Sequence, residues 1–422
     1  MPVAAFPIAR RNRTAQPAHI AGLATRPSGK LPSNFPTYFQ MDLHVISEIR
    51  GSAGLITLNR ARALNALSLA MIRELTACLL ALRDNPEVLV VAIRGVGRDA
   101  AAGGVEAPFG AFCAGGDIRF FHQAALAGNP QLEDFFTEEY ALDHLVHTYP
   151  KPVVAFMDGI VMGGGMGIAQ GASARIVTER TKMAMPETNI GLFPDDGAGY
   201  FLSRCPGHLG EYLALTGQVL DGRQAVAAGL ADKVVHSVQL PDLWNALADF
   251  GNAEVHAGFD RHDADRLLPG GETAAEASDK AALDPAQIDR YFALPTVAAI
   301  VQTLEADAAS SEWAGMGAAA LRQRSPLMLH VALEQIRRAR ALGLADVLRM
   351  ERDLMRHCFH PTHLGRSGAR TEVVEGVRAL AVDKDHQPHW DPARIEDVTP
   401  EMVLPFFESP WPAHAHPLRM LA

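Results

Sequence analysis

Apolar residues follow one another in patterns that predict strands and helices in a regular order. The stretch "MDLHVISEIRGSAGLITLNR" predicts two strands joined by a turn at 51–54. A helix follows, for which Ser68 fits as the N-cap. Its apolar residues recur every three or four positions and share one face: Met71, Ile72, Leu75, Leu79 and Leu82. The continuous apolar run "EVLVVAIRG" at 87–95 is typical of a strand buried on both faces.

The same order recurs further along the chain. Residues 97–116 are predicted to be a Gly/Ala-rich loop, and a mostly helical stretch extends to about 148. "PKPVVAFMDGIVMGGGMGIAQGASARIVTER" then predicts strand, glycine turn, short helix and strand. Repeated ββα units with short crossovers indicate an α/β core over residues 41–240.

The pattern changes after about residue 240. A polar segment, "HDADRLLPGGETAAEASDKAALDPAQID", is followed by helical periodicity that is clearest in "RSPLMLHVALEQIRRARAL". Residues 241–422 are therefore predicted to form a mainly helical C-terminal region. We expect this region to complete the active site, to contribute to an oligomer surface, or both.

The first 40 residues differ in composition from the rest. They contain no Asp or Glu, four Arg, one Lys and six Pro. An Arg-rich start without acids is found in organelle transit peptides, but the prolines oppose the amphipathic helix that such peptides need. We predict a disordered tail, with a transit peptide as the alternative.

Composition narrows the function classes. A net charge of −10 without a basic patch argues against nucleic acid as the main partner. No run approaches 18 uninterrupted apolar residues, so no membrane span is predicted. The four cysteines show no CxxC spacing, which favours a reduced, intracellular chain. The predicted location is the cytoplasm, or the mitochondrial matrix if the N-terminus is a transit peptide.

Two glycine-rich turns follow predicted strands: "FCAGGDIRFF" at 112–121 and "GIVMGGGMGIAQ" at 159–170. A dinucleotide fingerprint fails in the second turn, because Ile168 or Gln170 occupies the last small position. Two explanations stay open. The glycines permit close helix–sheet packing, or both turns aim free backbone N–H groups at one oxygen. The latter arrangement is an oxyanion hole, in which each donor lowers a barrier by about 3 kcal/mol.

Several motifs together resemble the crotonase (enoyl-CoA hydratase/isomerase) superfamily: "LNRARALNAL", "FCAGGDI", "KPVVAFMDGIVMGGGMG" and "LTGQVLDGRQAVAAGLADKVV". The resemblance covers about 42–236 and implies a spiral of ββα repeats that binds acyl-CoA. By the same resemblance, the backbone N–H groups of Gly116 and Gly164 would polarise the thioester. Coenzyme A would be part of the substrate, with no separate cofactor and no metal. Ala61 departs from the pattern, because many members have Pro there.

The carboxylates narrow the reaction. In hydratases that this superfamily resemblance points to, two glutamates manage one water, and the first of them stands in a GGGxE pattern. Gly167 occupies the position of that first glutamate here, which disfavours direct hydration. Three segments instead resemble the branch that hydrolyses 3-hydroxyisobutyryl-CoA: "AMPETNIGLFPDDGAGYFLSR", "FFTEEYALD" and the tail segment at 375–403. This resemblance supplies Glu187, Asp195 and Glu139. Glu372 departs from the branch, where Asp-Phe is expected in place of Glu-Val, and the preceding loop at 357–371 is the least certain part.

The resemblance also implies roles. Glu187 would attack the thioester carbonyl to give a mixed anhydride, or would activate a water as general base. Asp195 and Glu139 would hydrogen-bond the 3-hydroxyl of the substrate and position water, and Asp195 could also relay a proton. Discrimination of a methyl is worth only about 1–3 kcal/mol, so 3-hydroxypropionyl-CoA stays open as a substrate.

Neighbouring residues are expected to be structural. Asp196 fits a turn or cap, Glu138 should face solvent because adjacent helical residues diverge by about 100°, and Cys113 should pack as a small residue. Two sets of histidines have metal-like spacing without a matching carboxylate or Cys pattern, so no metal is predicted. These are His144 and His147, and His357, His360 and His363.

Two other functions stay open beside hydrolysis. One is an enoyl-CoA hydratase or isomerase in which Glu187 alone moves protons. The other is a non-catalytic acyl-CoA-binding member. A homo-oligomer is expected by resemblance, although the C-terminal region could cover the surface that relatives use for it. The absence of GxSxG disfavours a serine esterase.

Overall fold

A computed structural model describes residues 43–97, 108–249, 270–272, 274–281 and 283–422. The N-terminal segment that the composition singled out therefore lies outside the described residues, as do parts of the loop at 97–116 and of the polar segment after 240.

Nine described strands form two sheets. Their bounds are β1 Val45–Arg50, β2 Ala53–Leu58, β3 Val90–Gly95, β4 Ala111–Cys113, β5 Val153–Met157, β6 Ile160–Met162, β7 Ala174–Val177, β8 Lys182–Ala184 and β9 Lys233–Val234. The six-stranded sheet has the order β1-β2-β3-β5-β7-β9, and the three-stranded sheet has the order β4-β6-β8. All pairs are parallel except β1 with β2.

The chain alternates between the two sheets. Strands β3, β5 and β7 enter the large sheet, and each is followed by a short strand, β4, β6 or β8, in the small sheet. A helix then returns the chain, as α/β connections between parallel strands require. This confirms the predicted spiral of ββα repeats. Buried residues cover both faces of β3, so its continuous apolar run indicated the correct environment.

Sixteen described α-helices surround the sheets. Those of the core are α1 Leu69–Asp84, α2 Ile118–Ala127, α3 Gln131–His147, α4 Gly164–Gln170, α5 Ala198–Leu202, α6 Leu209–Thr216, α7 Gly222–Ala227 and α8 Leu240–Ala246. Those that follow are α9 Ala274–Lys280, α10 Pro285–Phe292, α11 Val297–Asp307, α12 Glu312–Gln323, α13 Pro326–Ala339, α14 Leu344–Phe359, α15 Glu372–Val377 and α16 Pro400–Val403.

Helix α1 forms as its sequence predicts. The Ser68 side chain accepts a hydrogen bond from the Met71 N–H and so caps one of the unpaired donors of the first turn. The five predicted apolar residues of its inner face are all buried. The turn between β1 and β2 lies at residues 51–52, within the predicted 51–54, whereas Gly54 belongs to β2.

The short strands β4 and β6 were missed. Each has three residues, which is too few for the alternating pattern of a strand to show. Both strands are also flanked by glycines, which are typical of loops. Consequently the predicted loop at 97–116 contains a strand, and the segment predicted as one glycine turn after β5 contains another.

The C-terminal helices pack directly on the core. Helix α13 lies against α6, α14 against α3, and α15 against α2. Their apolar faces belong to the same hydrophobic cluster as the strands of the core. In the part of the chain that the structure describes, no helix is both long and apolar enough to cross a membrane. The boundary near residue 240 stays a prediction.

Candidate active site

The two glycine turns face each other. Strands β4 and β6 are parallel neighbours, so the turns that follow them leave the sheet at one edge. Gly115 has φ 94° and Gly163 has φ 49°, values that favour glycine. A Cβ on Gly115 would lie 3.1 Å from the Met162 carbonyl oxygen and 3.5 Å from the Gly164 nitrogen. The turns approach this closely because neither carries a side chain.

Between the turns lies a cavity of about 200 Å³, here called the front cavity. All five predicted site residues line it: Gly116, Glu139, Gly164, Glu187 and Asp195. Apolar side chains form much of the remaining wall: Ile118, Phe121, Phe136, Met162, Ile190, Leu192 and Leu380. None of the described residues that line this cavity is Lys, Arg or His. The fold therefore brings together predicted site residues that lie up to 79 positions apart in the sequence.

Glu187 is held at the second glycine turn. It begins a short 3-10 segment, Glu187–Ile190, directly after Pro186, and it is only 7% exposed. Its Oε1 lies 2.9 Å from where a Cβ on Gly163 would be. Burial, followed by the charge of Asp195, raises the pKa of Glu187 well above its usual value.

Asp195 occupies the far side of the front cavity. The Tyr140 hydroxyl donates a 2.7 Å hydrogen bond to its Oδ2. Burial raises the pKa of Asp195 to about 6, although the hydrogen bonds that it accepts act in the opposite direction. A pKa near 6 suits a group that gives and takes protons at neutral pH.

Glu139 reaches the cavity from helix α3. Its Oε1 lies 2.5 Å from the position of a Cβ on Gly164, so that glycine is needed for the carboxyl to approach. Burial and the Asp195 charge raise the pKa of Glu139 well above its usual value. Its neighbour Glu138 lies at the surface and pairs with Arg73 at 2.6 Å, in accord with the predicted helical geometry.

Asp196 belongs to the site as well as to a turn, which corrects the expectation of a purely structural residue. Its φ of 58° fits the predicted turn, yet its side chain is 4% exposed and lines the front cavity. It hydrogen-bonds Glu139 and Asp195. Burial and the surrounding acids raise the pKa of Asp196 well above its usual value.

Gly167 shows why a second glutamate is absent. A Cβ there would lie 2.6 Å from the Cβ of Asp196 and 2.9 Å from both carboxyl oxygens of Asp143. A glutamate at 167 would therefore collide with two acids that already occupy its space. The carboxyl groups near Gly164, in the second glycine turn, come instead from Glu139 and Asp196.

The loop that carries Asp195 is fixed by the C-terminal helices. Glu351 on α14 accepts hydrogen bonds from the N–H groups of Gly197 and Gly199 at 2.7 and 2.8 Å. Gln335 on α13 donates to the Pro194 carbonyl and to Glu351. Burial raises the pKa of Glu351 to about 8, against these donors. Sequence reasoning missed Glu351 and Gln335, because nothing in a helical pattern marks which partner a distant loop will meet.

Asp143 was missed too, although a signal existed. It follows Glu139 by four positions, which places both acids on one face of α3. Tyr140, which donates a hydrogen bond to Asp195, was not predicted as a site residue.

Glu372, the departure from the expected Asp-Phe, does not line the front cavity. It is buried, accepts a hydrogen bond from the Ser325 hydroxyl and another from the Asp391 N–H at 2.9 Å. Its backbone carbonyl lies against Gly191, just after the Glu187 segment. Glu372 thus holds the C-terminal segment against the active-site loop. From the same region, Leu380 adds an apolar contact to the cavity wall.

The remaining sequence candidates make structural contacts. Cys113 is buried against the Asn65 carbonyl, and burial raises its pKa to about 12, as expected for a packing residue. His357 and His363 contact the backbone carbonyls of Glu408 and Met402.

A model of the enoyl-CoA hydratase/isomerase family matches residues 53–407. The chain belongs to the crotonase family. Its relatives place it in the branch of 3-hydroxyisobutyryl-CoA hydrolases. It is 38% identical to the mitochondrial 3-hydroxyisobutyryl-CoA hydrolase of Gallus gallus, over 85% of this chain and 87% of the relative. It is also 38% identical to the probable 3-hydroxyisobutyryl-CoA hydrolase 3 of Arabidopsis thaliana, over 86% and 91%.

Solved structures agree on the crotonase fold. A carnitinyl-CoA dehydratase from Mycobacterium thermoresistibile is 34% identical with a TM-score of 0.72, over 87% of this chain and 96% of that one. An enoyl-CoA hydratase from Rhodobacter sphaeroides gives the same identity and TM-score, over 87% and 98%. The match therefore extends well beyond the ββα core into the C-terminal helices.

Proposed function

We propose that this crotonase hydrolyses a short 3-hydroxyacyl-CoA thioester, namely 3-hydroxyisobutyryl-CoA, to 3-hydroxyisobutyrate and CoA, a step of valine breakdown. One observation carries the proposal: two glycine turns and the carboxyl groups of Glu139, Glu187 and Asp195 line one small cavity. The names of the relatives support it. The cavity of about 200 Å³ is smaller than the roughly 300–1,000 Å³ that drug-sized ligands need, which suits a short acyl group.

The thioester oxygen would lie between the N–H groups of Gly116 and Gly164. Gly164 is the first residue of α4, so its N–H has no acceptor within the helix. As the carbonyl carbon becomes tetrahedral, negative charge builds on this oxygen. Two preorganised donors in an apolar site stabilise that charge, each by about 3 kcal/mol.

Glu187 would carry the reaction from beside the same turn. As a nucleophile it forms a mixed anhydride that water then opens, and as a general base it removes a proton from the attacking water. In both routes the C–S bond breaks and the thiolate takes a proton. Water is the co-reactant, and no separate cofactor is needed.

Asp195 and Glu139 would bind the 3-hydroxyl and position water. Both are buried, and Asp195 already accepts a hydrogen bond from Tyr140. An acyl group without the hydroxyl would leave these carboxyl groups without that partner, which is costly in a buried site.

Location and assembly stay proposals. The Gallus gallus relative is named mitochondrial, which supports the matrix over the cytoplasm. An oligomer is proposed only by family resemblance.

Hydration of an enoyl-CoA is the second candidate. It is favoured by the hydratase and dehydratase names of the structural relatives, and Glu139 or Asp196 could stand in for the acid missing at Gly167. The two functions separate in one experiment on the purified protein. Thiol release from 3-hydroxyisobutyryl-CoA, 3-hydroxypropionyl-CoA and isobutyryl-CoA is compared with hydration of crotonyl-CoA. We expect thiol release from the hydroxylated substrates, whereas hydration without thiol release would contradict the proposal.

A further inference from the structure

A second cavity lies behind helix α4. This rear cavity has a volume of about 170 Å³, and residues of α3, α4 and α5 line it together with Leu344 at the start of α14. Asp196 is the one residue that lines both the front and the rear cavity among the described lining residues. The two cavities therefore meet at this acid.

Asp143 lines the rear cavity from helix α3. Its side chain is 3% exposed, and neither carboxyl oxygen has a hydrogen-bond partner among the described residues. A buried acid without a partner costs about 1–3 kcal/mol or more, so its place in a cavity points to an exchangeable ligand such as water. Water held there would need two to four polar neighbours, and the two oxygens of Asp143 and Oδ1 of Asp196 are unpaired.

Asp143 and Asp196 both pack directly against Gly167. The Cβ of Asp196 lies 2.6 Å, and both carboxyl oxygens of Asp143 lie 2.9 Å, from where a Cβ on this glycine would be. A side chain at this position would displace Asp143 or Asp196. The absence of the hydratase glutamate thus has a second consequence besides the loss of an acid.

The rear cavity ends among polar groups. His147, Arg175 and Arg204 line it, and Arg204 stacks on Tyr200 with its guanidinium 3.5 Å from the ring centre. Arg175 is paired with Asp232. Arg204 and Gly229 are exposed, so the rear cavity reaches the surface there.

We propose that the rear cavity is a route for water and protons, with Asp196 and Asp143 as the relay between the active site and solvent. This rests on the proposed hydrolysis. During turnover the CoA chain fills the entrance of the front cavity. Hydrolysis nevertheless consumes one water, and one net proton is left after the thiolate has been protonated and the acid product has ionised. That proton passes to Asp196, then to Asp143 and out.

The electrostatic surroundings fit a relay. The charges of Glu139 on its own helix, of Asp195 and Asp196 on the loop and of Glu351 on α14 interact with Asp143. The basic groups named above line the same cavity. Burial first, and then Glu139, Asp195 and Glu351, raise the pKa of Asp143 well above its usual value. An acid that holds a proton and lies near other acids whose pKa is also raised can pass protons in either direction. Asp143 does not touch the reacting atoms, so it acts through Asp196.

Small-acid rescue tests the relay. Asp143→Ala should lower kcat for thiol release at least about tenfold with KM little changed, and added formate should restore the rate by entering the rear cavity. Asp143→Leu, which refills that space, should lose the same activity without rescue. Asp134→Ala, an exposed acid on the same helix, and wild type with formate are the controls.

The outcomes separate cleanly. Unchanged kcat in Asp143→Ala beside an active wild type would overturn the relay alone. A loss in Asp143→Ala that formate does not restore, with a wild-type circular dichroism spectrum, would also overturn it. Absence of thiol release by the wild type would overturn the proposed function and the relay with it.

Discussion

Five carboxyl groups line the front and rear cavities: Glu139, Asp143, Glu187, Asp195 and Asp196. All are less than a tenth exposed, and the pKa of each is raised. Burial is the largest cause in every case, and like charge adds to it for all of them except Asp195. A stable fold gains nothing from this arrangement, because each group loses hydration without gaining a cation. Clusters of this kind are therefore typical of functional sites.

Asp195 is where substrate choice is tested. Asp195→Asn removes the charge that would accept the 3-hydroxyl proton while keeping the shape of the side chain. We expect the ratio of kcat/KM for 3-hydroxyisobutyryl-CoA over isobutyryl-CoA to fall at least about tenfold, which corresponds to 1.4 kcal/mol. Tyr140→Phe, which removes only the hydrogen bond to Asp195, should change the ratio less. An unchanged ratio in Asp195→Asn would remove its proposed role.

At the scale of elements, the site is assembled from both ends of the chain. Turns after β4 and β6 supply backbone N–H groups, and helix α3 supplies Glu139 and Tyr140. The loop with Asp195 is positioned by α13 and α14, which lie about 140 to 150 residues further on. The C-terminal helices therefore determine where Asp195 points.

Glu351 tests this dependence. Glu351→Ala leaves the N–H groups of Gly197 and Gly199 without their acceptor. We expect the free energy of unfolding to fall by about 2–4 kcal/mol and kcat to fall as the Asp195 loop loosens. Glu351→Gln, which keeps one acceptor oxygen, should be intermediate. Denaturant unfolding and thiol release measure both effects. Glu334→Ala, an exposed acid on α13, is the control, and equal stability of the two alanine variants would contradict the account.

At the scale of the molecule, more of the fold than of the site could be predicted from the sequence. Long apolar runs predicted β3, and the spacing on α1 predicted its inner face, because burial there repeats with a regular period. The strands β4 and β6 were not predicted, because three residues are too few to show the alternation of a strand. Glu187 and Asp195 were found by motif, whereas Asp143, Asp196 and Glu351 act through neighbours that only the tertiary structure supplies.

Buried acids should also make stability depend on pH. Burial raises the pKa of Glu372 to about 7, from an ordinary value near 4.5 in the unfolded chain. Between these values the native state binds more protons, so the free energy of unfolding falls as pH rises. Between pH 5 and pH 8, Glu372 should lower the free energy of unfolding by about 2–3 kcal/mol. The carboxyl groups of the active site act with the same sign.

Glu372→Gln measures that share. Urea unfolding at pH 5 and pH 8 should show a smaller loss of stability in the variant than in the wild type, by about 2–3 kcal/mol. Glu334→Gln is the surface control and should keep the wild-type difference. A wild type whose stability rises from pH 5 to 8 would contradict the burial argument.

The central claim is that Glu187 carries thioester hydrolysis, and its most direct test is thiol release from 3-hydroxyisobutyryl-CoA by Glu187→Gln. The variant keeps the size of the side chain but can neither attack the carbonyl nor take a proton from water. We predict a loss in kcat of at least about a hundredfold, with unfolding free energy equal to or above that of the wild type because a buried ionisable group is gone. Glu138→Gln on the surface should retain full activity. Wild-type thiol release by Glu187→Gln would contradict the account.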